Sequence, residues 1–257
     1  VPRIAWHLDQ DANLASARLG ADLLQAQCVA FEAWIARGPP PAAARLLVGP
    51  GSDLGRRRFS LARYLRGEAD RYGAWILEGP KDVSSRLRFL YGSTPSMPAV
   101  KYLQGLAETA KAALAEAWVR EYRAHMERLA DAADRPYGDG IRILRQLDAE
   151  RNDRKANPLI PLLVPATTRL YERFLLAEGQ WRMMQTAAAA AMARAPQGAW
   201  PERKARLLKA ADWTELPPDP FTGKPLYCRL DSEGPRLVVR VPRWIAEEDT
   251  LCYRFDI

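Results

Sequence analysis

The sequence predicts a mainly α protein: an elongated helical bundle over residues 1–196, followed by a small C-terminal antiparallel β module over 197–257. Three observations carry that expectation. Through most of residues 1–196, apolar side chains recur at alternating steps of three and four, which keeps one stripe of each helix facing a partner. Pro196, Gly198 and Pro201 then break the pattern. Beyond the stretch Asp219-Pro220-Phe221-Thr222-Gly223-Lys224-Pro225-Leu226, short runs alternating with period two take over.

After a short arm, Asp9 or Asp11 can cap a first helix that runs to about Arg37. Its stripe is Leu14, Ala17, Ala21, Leu24, Cys28, Phe31 and Ile35, and Gly38-Pro39-Pro40-Pro41 stops it. Cys28 lies in the stripe and reads as a small buried hydrophobe. Residues 45–60 read as a loop around Gly49-Pro50-Gly51-Ser52-Asp53-Leu54-Gly55. A glycine-rich loop before a helix can cradle phosphate. Here the Lys-Ser/Thr pair of a nucleotide loop is missing and Pro50 removes a donor, so punctuation between helices is the better reading. A second helix follows over 59–77, with Leu61, Leu65, Ala69, Tyr72 and Ile76 on one face, and a short one over 82–91.

Ser96-Met97-Pro98 opens the longest helix, proline being favoured in a first turn. It continues to about Ala133 on the stripe Val100, Leu103, Ala107, Ala110, Leu114, Trp118, Tyr122, Met126, Leu129 and Ala133. A shorter helix follows with Ile141, Leu144 and Leu147 inward, and Arg151-Asn152-Asp153-Arg154-Lys155 reads as a solvated connection. Asn157-Pro158 starts the next helical stretch, which Pro161 and Pro165 interrupt. From Ala166 to Ala195 the stripe is Leu170, Phe174, Ala177, Trp181, Met184, Ala188, Ala191 and Ala195. The alanine run 187–191 lets a neighbouring helix come close. A short helix over 202–211 and strands over 226–230, 236–241 and 251–255 complete the reading.

The turn between body and tail is legible residue by residue. Pro220 pushes Asp219 out of the helical region. The Asp219 carboxylate can accept bonds from the N–H groups just after it, and Pro220 pre-sets the turn. Gly223 can take a positive φ, and Pro225 suits the first residue of a strand or an edge. A cation loop would need about six oxygen ligands, and Asp219 supplies the local carboxylate alone. Asp219, Pro220, Gly223 and Pro225 are therefore expected to be a structural joint. The pattern Asn157-Pro158, a helix, then Asp219 to Tyr227 resembles the C-terminal part of a set of uncharacterised exported bacterial proteins. More distantly it is similar to the C-terminal region of type II secretion pseudopilins. The chain departs from pseudopilins in opening with Val1-Pro2-Arg3 where they carry an apolar assembly helix, so nothing of pilus assembly is carried over.

Charge and chemistry narrow the function. Net charge is +7, from 38 basic and 31 acidic residues, which would suit an anionic partner. The charges are interspersed, however. The tight basic run Arg56-Arg57-Arg58 is the candidate anion contact, and no nucleic-acid-binding signature accompanies it. Nucleic acid is therefore not the expected partner. His7 and His125 have no ligand or triad motif around them. Glu116 with Glu121, and Glu172 with Glu178, are not in clean helical register for paired acid–base work. The tryptophans, among them Trp34, Trp75, Trp118, Trp181, Trp200 and Trp213, fall on or beside stripes and read as core or interface bulk. Period-two alternation puts Cys228 and Cys252 on opposite faces, so a bridge between them would need a bulge.

No catalytic residue, cofactor or metal is expected. No uninterrupted apolar run of about 18 residues spans a membrane. The start at Val1 is read as the mark of a removed signal peptide or membrane anchor, with trimming of the chain as the other reading. The expected function is a non-enzymatic interaction or assembly scaffold of the bacterial cell envelope. It would lie in the periplasm or be held at the membrane by a removed N-terminal anchor, with protein partners and room for oligomerisation. Two alternatives stay open: an envelope hydrolase acting on a polymer through Asp or Glu, and a binder of anionic polymer or lipid headgroups through an arginine-rich surface.

Overall fold

The computed structural model describes residues 41–48, 60–77, 108–153, 157, 159–194, 199–231, 234–240 and 250–254, with Phe31, Ala33, Trp34 and Arg37. Most of the first predicted helix, the 82–91 helix, residues 96–107 of the longest one and Arg56, Arg57 and Arg58 lie outside them. The helices are α1 (Pro41–Val48), α2 (Leu61–Leu77), α3 (Glu108–Ala133), α4 (Tyr137–Asp153), α5 (Leu159–Leu163), α6 (Thr167–Met192) and α7 (Lys204–Ala211). The strands β1 (Tyr227–Asp231), β2 (Gly234–Arg240) and β3 (Thr250–Arg254) form one antiparallel sheet in the order β1-β2-β3. The chain is thus mainly helical and bundle-like, with a small antiparallel sheet near its C-terminus.

Two expected boundaries are corrected. Residues 45–48, read as loop, are the end of α1. Pro41 suits a first turn and Ala42-Ala43-Ala44 has the highest helix propensity, which outweighs the glycines and prolines just downstream. Arg151, Asn152 and Asp153, read as a solvated connection, are the last turn of α4. There Arg151 Nη1 donates to the Val164 carbonyl at 2.9 Å, a tertiary bond that holds the turn in place.

The predicted seam of α3 is buried at Trp118, Tyr122, Met126 and Leu129, but so are Ala115, Val119, His125, Ala130 and Ala132. The helix is wider in its burial than one stripe because it packs on α2, α4 and α5. On the solvent side of the α2–α3 contact, Arg66 spreads over Glu127 (2.9 Å), Asp131 (2.9 Å) and Asp134 (3.1 Å), carboxylates that succeed one another along one face of α3. The Glu127 hydrogen bond leads in raising the Arg66 pKa. Gly140 lets the next helix fold back: a Cβ there would stand 2.6 Å from the Ala132 carbonyl oxygen.

The central element is α6, which contacts α1, α2, α4, α7 and β2. Ala187, Ala188, Ala189 and Ala190 are fully buried, and α1 packs on α6 with Ala44, Leu47 and Val48 also buried. Gln185 Nε2 donates to the Leu47 carbonyl at 3.0 Å. Ala166 makes no side-chain cap for α6. Asp148 of α4 supplies it instead, accepting from Thr167 N at 3.1 Å and Thr168 N at 2.9 Å. Buried Asn157 ties α3 to α5, donating to the Trp118 carbonyl at 2.9 Å and accepting from Leu159 N at 3.0 Å. The break over 164–166 separates α5 from α6 at Pro165, as expected, whereas Pro161 is accommodated within the first turn of α5.

The apolar core runs on into the C-terminal region, taking in Leu207, Leu216, Phe221, Leu226 and Leu237. The β1–β2 register pairs Cys228 with Leu237 and Tyr227 with Val238, and β3 places Cys252 opposite Val238. The two cysteine positions therefore sit in neighbouring rows on opposite faces, and the Cys228 thiol is free.

Candidate functional site

The joint between body and sheet gathers the polar and aromatic groups with most structural consequence. Its frame is backbone: Asp219 N donates to the Lys224 carbonyl at 2.7 Å, Gly223 N to the Asp219 carbonyl at 2.8 Å, and Leu226 N to the Pro217 carbonyl at 2.9 Å. The buried Asp219 carboxylate accepts from Phe221 N at 2.8 Å and Thr222 N at 3.4 Å. Gly223 has φ +68°, the left-handed region that a Cβ disfavours. Pro225 faces Pro218 in an isolated bridge just ahead of β1, where its missing N–H costs nothing to a ladder. Pro220, half-buried, leads the chain into the turn.

What the turn delivers is Phe221. Its ring is buried and meets the Tyr137 ring edge-on, centroids 5.1 Å apart, and Tyr137 in turn stacks on Tyr171 at 6.0 Å. Tyr137 opens α4, and Tyr171 lies in the early turns of α6. Tyr171 donates to the Arg135 carbonyl at 3.2 Å, closing the α3–α4 corner. Tyr137 donates to buried Glu172 at 3.5 Å. Further along α6, Glu178 pairs with Arg182, and Arg182 also donates to the Pro218 carbonyl at the edge of the joint.

Burial sets the electrostatics of this corner. It pushes the Tyr171 hydroxyl up to about 12, with Glu178 and Asp134 adding to the shift. Tyr137 is raised likewise, by burial first and then by Glu172. Behind the sheet, burial pushes the Cys228 thiol up to about 11 against a small opposing pull from Lys204. These groups stay protonated at neutral pH and act as donors or as apolar bulk.

Glu172 and Glu178, weighed as a carboxylate pair, are brought to one corner but held by different partners, Tyr137 and Arg182. Glu116 and Glu121 are both exposed, and Glu121 accepts from Asn157 at 3.0 Å. His125, expected beside the α3 seam, is buried within it. Among the described residues, Trp118, Trp181 and Trp200 are buried, Trp34 stacks at a tilt on Phe31, and Arg194 lies 4.5 Å over Trp200. Among the described residues, no cluster of His, Cys, Asp and Glu could hold a metal ion.

Sequence reading missed Tyr137, Tyr171 and Arg182. The signal available was Phe221, an aromatic inside a polar turn, which needs an apolar socket. No family model, curated protein or solved structure matches the chain.

Proposed function

We propose that this chain is an interaction or assembly scaffold of the bacterial cell envelope, acting without catalysis of its own. The observation that carries the reading is how the joint is held. Glu172, Arg182 and Tyr171 are engaged with partners from other elements, and Asp219 with backbone donors of its own turn. Their chemistry orients a small sheet on a helical body, and such a fixed orientation suits a part that presents one surface to another component. The helical seams and the resemblance to exported proteins support placing it in the envelope. Exposed Leu46 on α1 and Leu77 at the end of α2 are apolar points that a protein partner could cover.

The test uses the full-length chain in a bacterial host. Fractionation is expected to recover it with the periplasm or the membranes, and a photocrosslinking residue at Leu46 or Leu77 is expected to give one discrete adduct. Recovery in the cytosol, or crosslinking that stays diffuse at both positions, would overturn the proposal.

A further inference from the structure

Helix α7 and the residue before it carry Arg203, Lys204, Arg206 and Lys209, with no acid among them. All four are exposed. Among the described residues none of the four forms an ion pair, in contrast with Arg66, Arg128 and Arg182 of the helical body. Arg203, Arg206 and Lys209 follow one another at steps of three, where side chains are neighbours on a helix and like charges repel.

The helix that bears them is firmly mounted. Leu207 and Ala211 are buried in the common core. Trp213 N donates to the Leu208 carbonyl at 2.9 Å and Asp212 N to the Lys209 carbonyl at 3.3 Å, which closes the last turn. The helix packs on α6, and Lys204 stands close enough to β1 to pull on the Cys228 thiol. Carboxylates bound the basic stretch in sequence: Glu202 precedes it, Asp212 and Glu215 follow it, and all three are exposed. The order of charge is therefore acid, base, acid.

We propose that α7 docks a short acidic segment of a protein partner, with Arg206 and Lys209 pairing with its central carboxylates and Arg203 and Lys204 with those at one end. The bounding acids are what favour a segment over an extended polyanion. A nucleic acid strand would press negative charge on Glu202, Asp212 and Glu215 as well as on the cations. An acidic run with basic residues at its ends meets attraction at every step, so the same acids select for it. From Lys204 to Lys209 the helix rises about 8 Å, the reach of a few residues. A lipid surface fits less well, because the large apolar side chain Leu207 faces the core and the exposed positions from Arg203 to Lys209 are cations and Ala205. The inference rests on the scaffold reading and gives its partner a chemistry. Peptide binding in vitro is blind to compartment and to contacts at Leu46 and Leu77, so either reading can fail without the other.

The experiment is an amide NMR titration of the full chain with two peptides of one composition, Lys-Glu-Glu-Glu-Glu-Lys and Glu-Glu-Lys-Lys-Glu-Glu. The first is expected to bind more tightly, to shift amides over residues 203–211, and to weaken with added salt. Arg206→Gln combined with Lys209→Gln, both at exposed positions, should weaken it about fivefold and leave the amide spectrum of the core unchanged. Arg169→Gln combined with Arg173→Gln removes as many charges from exposed sites on α6 and should change binding by less than about twofold. The proposal is overturned by equal affinity for the two peptides, by no binding of either, by shifts centred away from α7, or by an equal loss in the two double variants. Tighter binding to a single-stranded oligonucleotide or to phosphatidylglycerol vesicles, lost in the α7 variant, would overturn it as well.

Discussion

Arg66 on the α2–α3 surface engages three carboxylates at 2.9 to 3.1 Å, every one of them exposed. At the joint, Asp219 alone accepts two backbone donors, but it is buried, and so is the Phe221 ring it positions. Counting ion pairs would favour the first region. Physical chemistry favours the second, because exposed pairs are screened by water and restrict long side chains, whereas a buried carboxylate left without donors keeps its full desolvation cost. The molecule is fastened where few polar atoms are hidden, more than where many are displayed.

The strongest way to break that comparison is Phe221→Ala. Removing a buried ring that contacts Tyr137 should lower unfolding free energy by about 3–5 kcal/mol, read by urea denaturation. A loss below about 1 kcal/mol would mean that the ring does not weld the joint to α4 and α6. Next is Cys228 on the underside of the sheet. With its thiol pushed up to about 11 from 9.0, its thiolate fraction at neutral pH is about 100-fold below that of an unperturbed cysteine, and peptide-resolved alkylation should be slower in proportion. The sign for stability follows. Cys228 and Tyr171 have folded pKa values above their unfolded ones, so their contribution is whole below the unfolded values. It is lost as pH climbs through about 11 and about 12, and unfolding should begin on the alkaline side. Alkylation at the rate of a free thiol would place the underside of the sheet in water.

Asp219→Ala comes third, at about 1–3 kcal/mol, with Asp219→Asn costing less because an acceptor oxygen remains. Equal losses for the two would show that charge, and not the bonds to Phe221 and Thr222, is what matters. Smallest is Arg66→Ala, under about 1 kcal/mol and shrinking further in salt. A larger effect that persists at high salt would reverse the ranking of the two regions.

The sequence made the helical body legible because its periodicity is local: Leu61, Leu65, Ala69 and Ile76 of α2 lie buried where their spacing puts them. The turn was legible for the same reason, since Asp219 reaches donors two and three residues on. Contacts over long sequence distances were not. Nothing around Tyr137 announces that Phe221 will arrive against it, and nothing near Arg66 announces Asp131 on α3 or Asp134 just past its end. The extension of α4 through Asp153 was missed because a bond from Arg151 to Val164 outweighs a run of charged residues that reads as solvated loop. The pairing of Arg229 with Arg236 was not legible because register, unlike alternation, cannot be read from one strand at a time.

Asp148 carries a consequence for how α6 begins. The longest-buried helix of the body starts at Thr167 without a cap of its own, and the acceptor for its first two N–H groups comes from α4. A peptide of residues 159–194 should therefore fray at its leading end in isolation, and amide exchange at Thr167 and Thr168 in the whole protein should quicken in Asp148→Ala. The first turn of α6 thus borrows its stability from α4, and whatever loosens α4 at Asp148 also loosens the start of its neighbour.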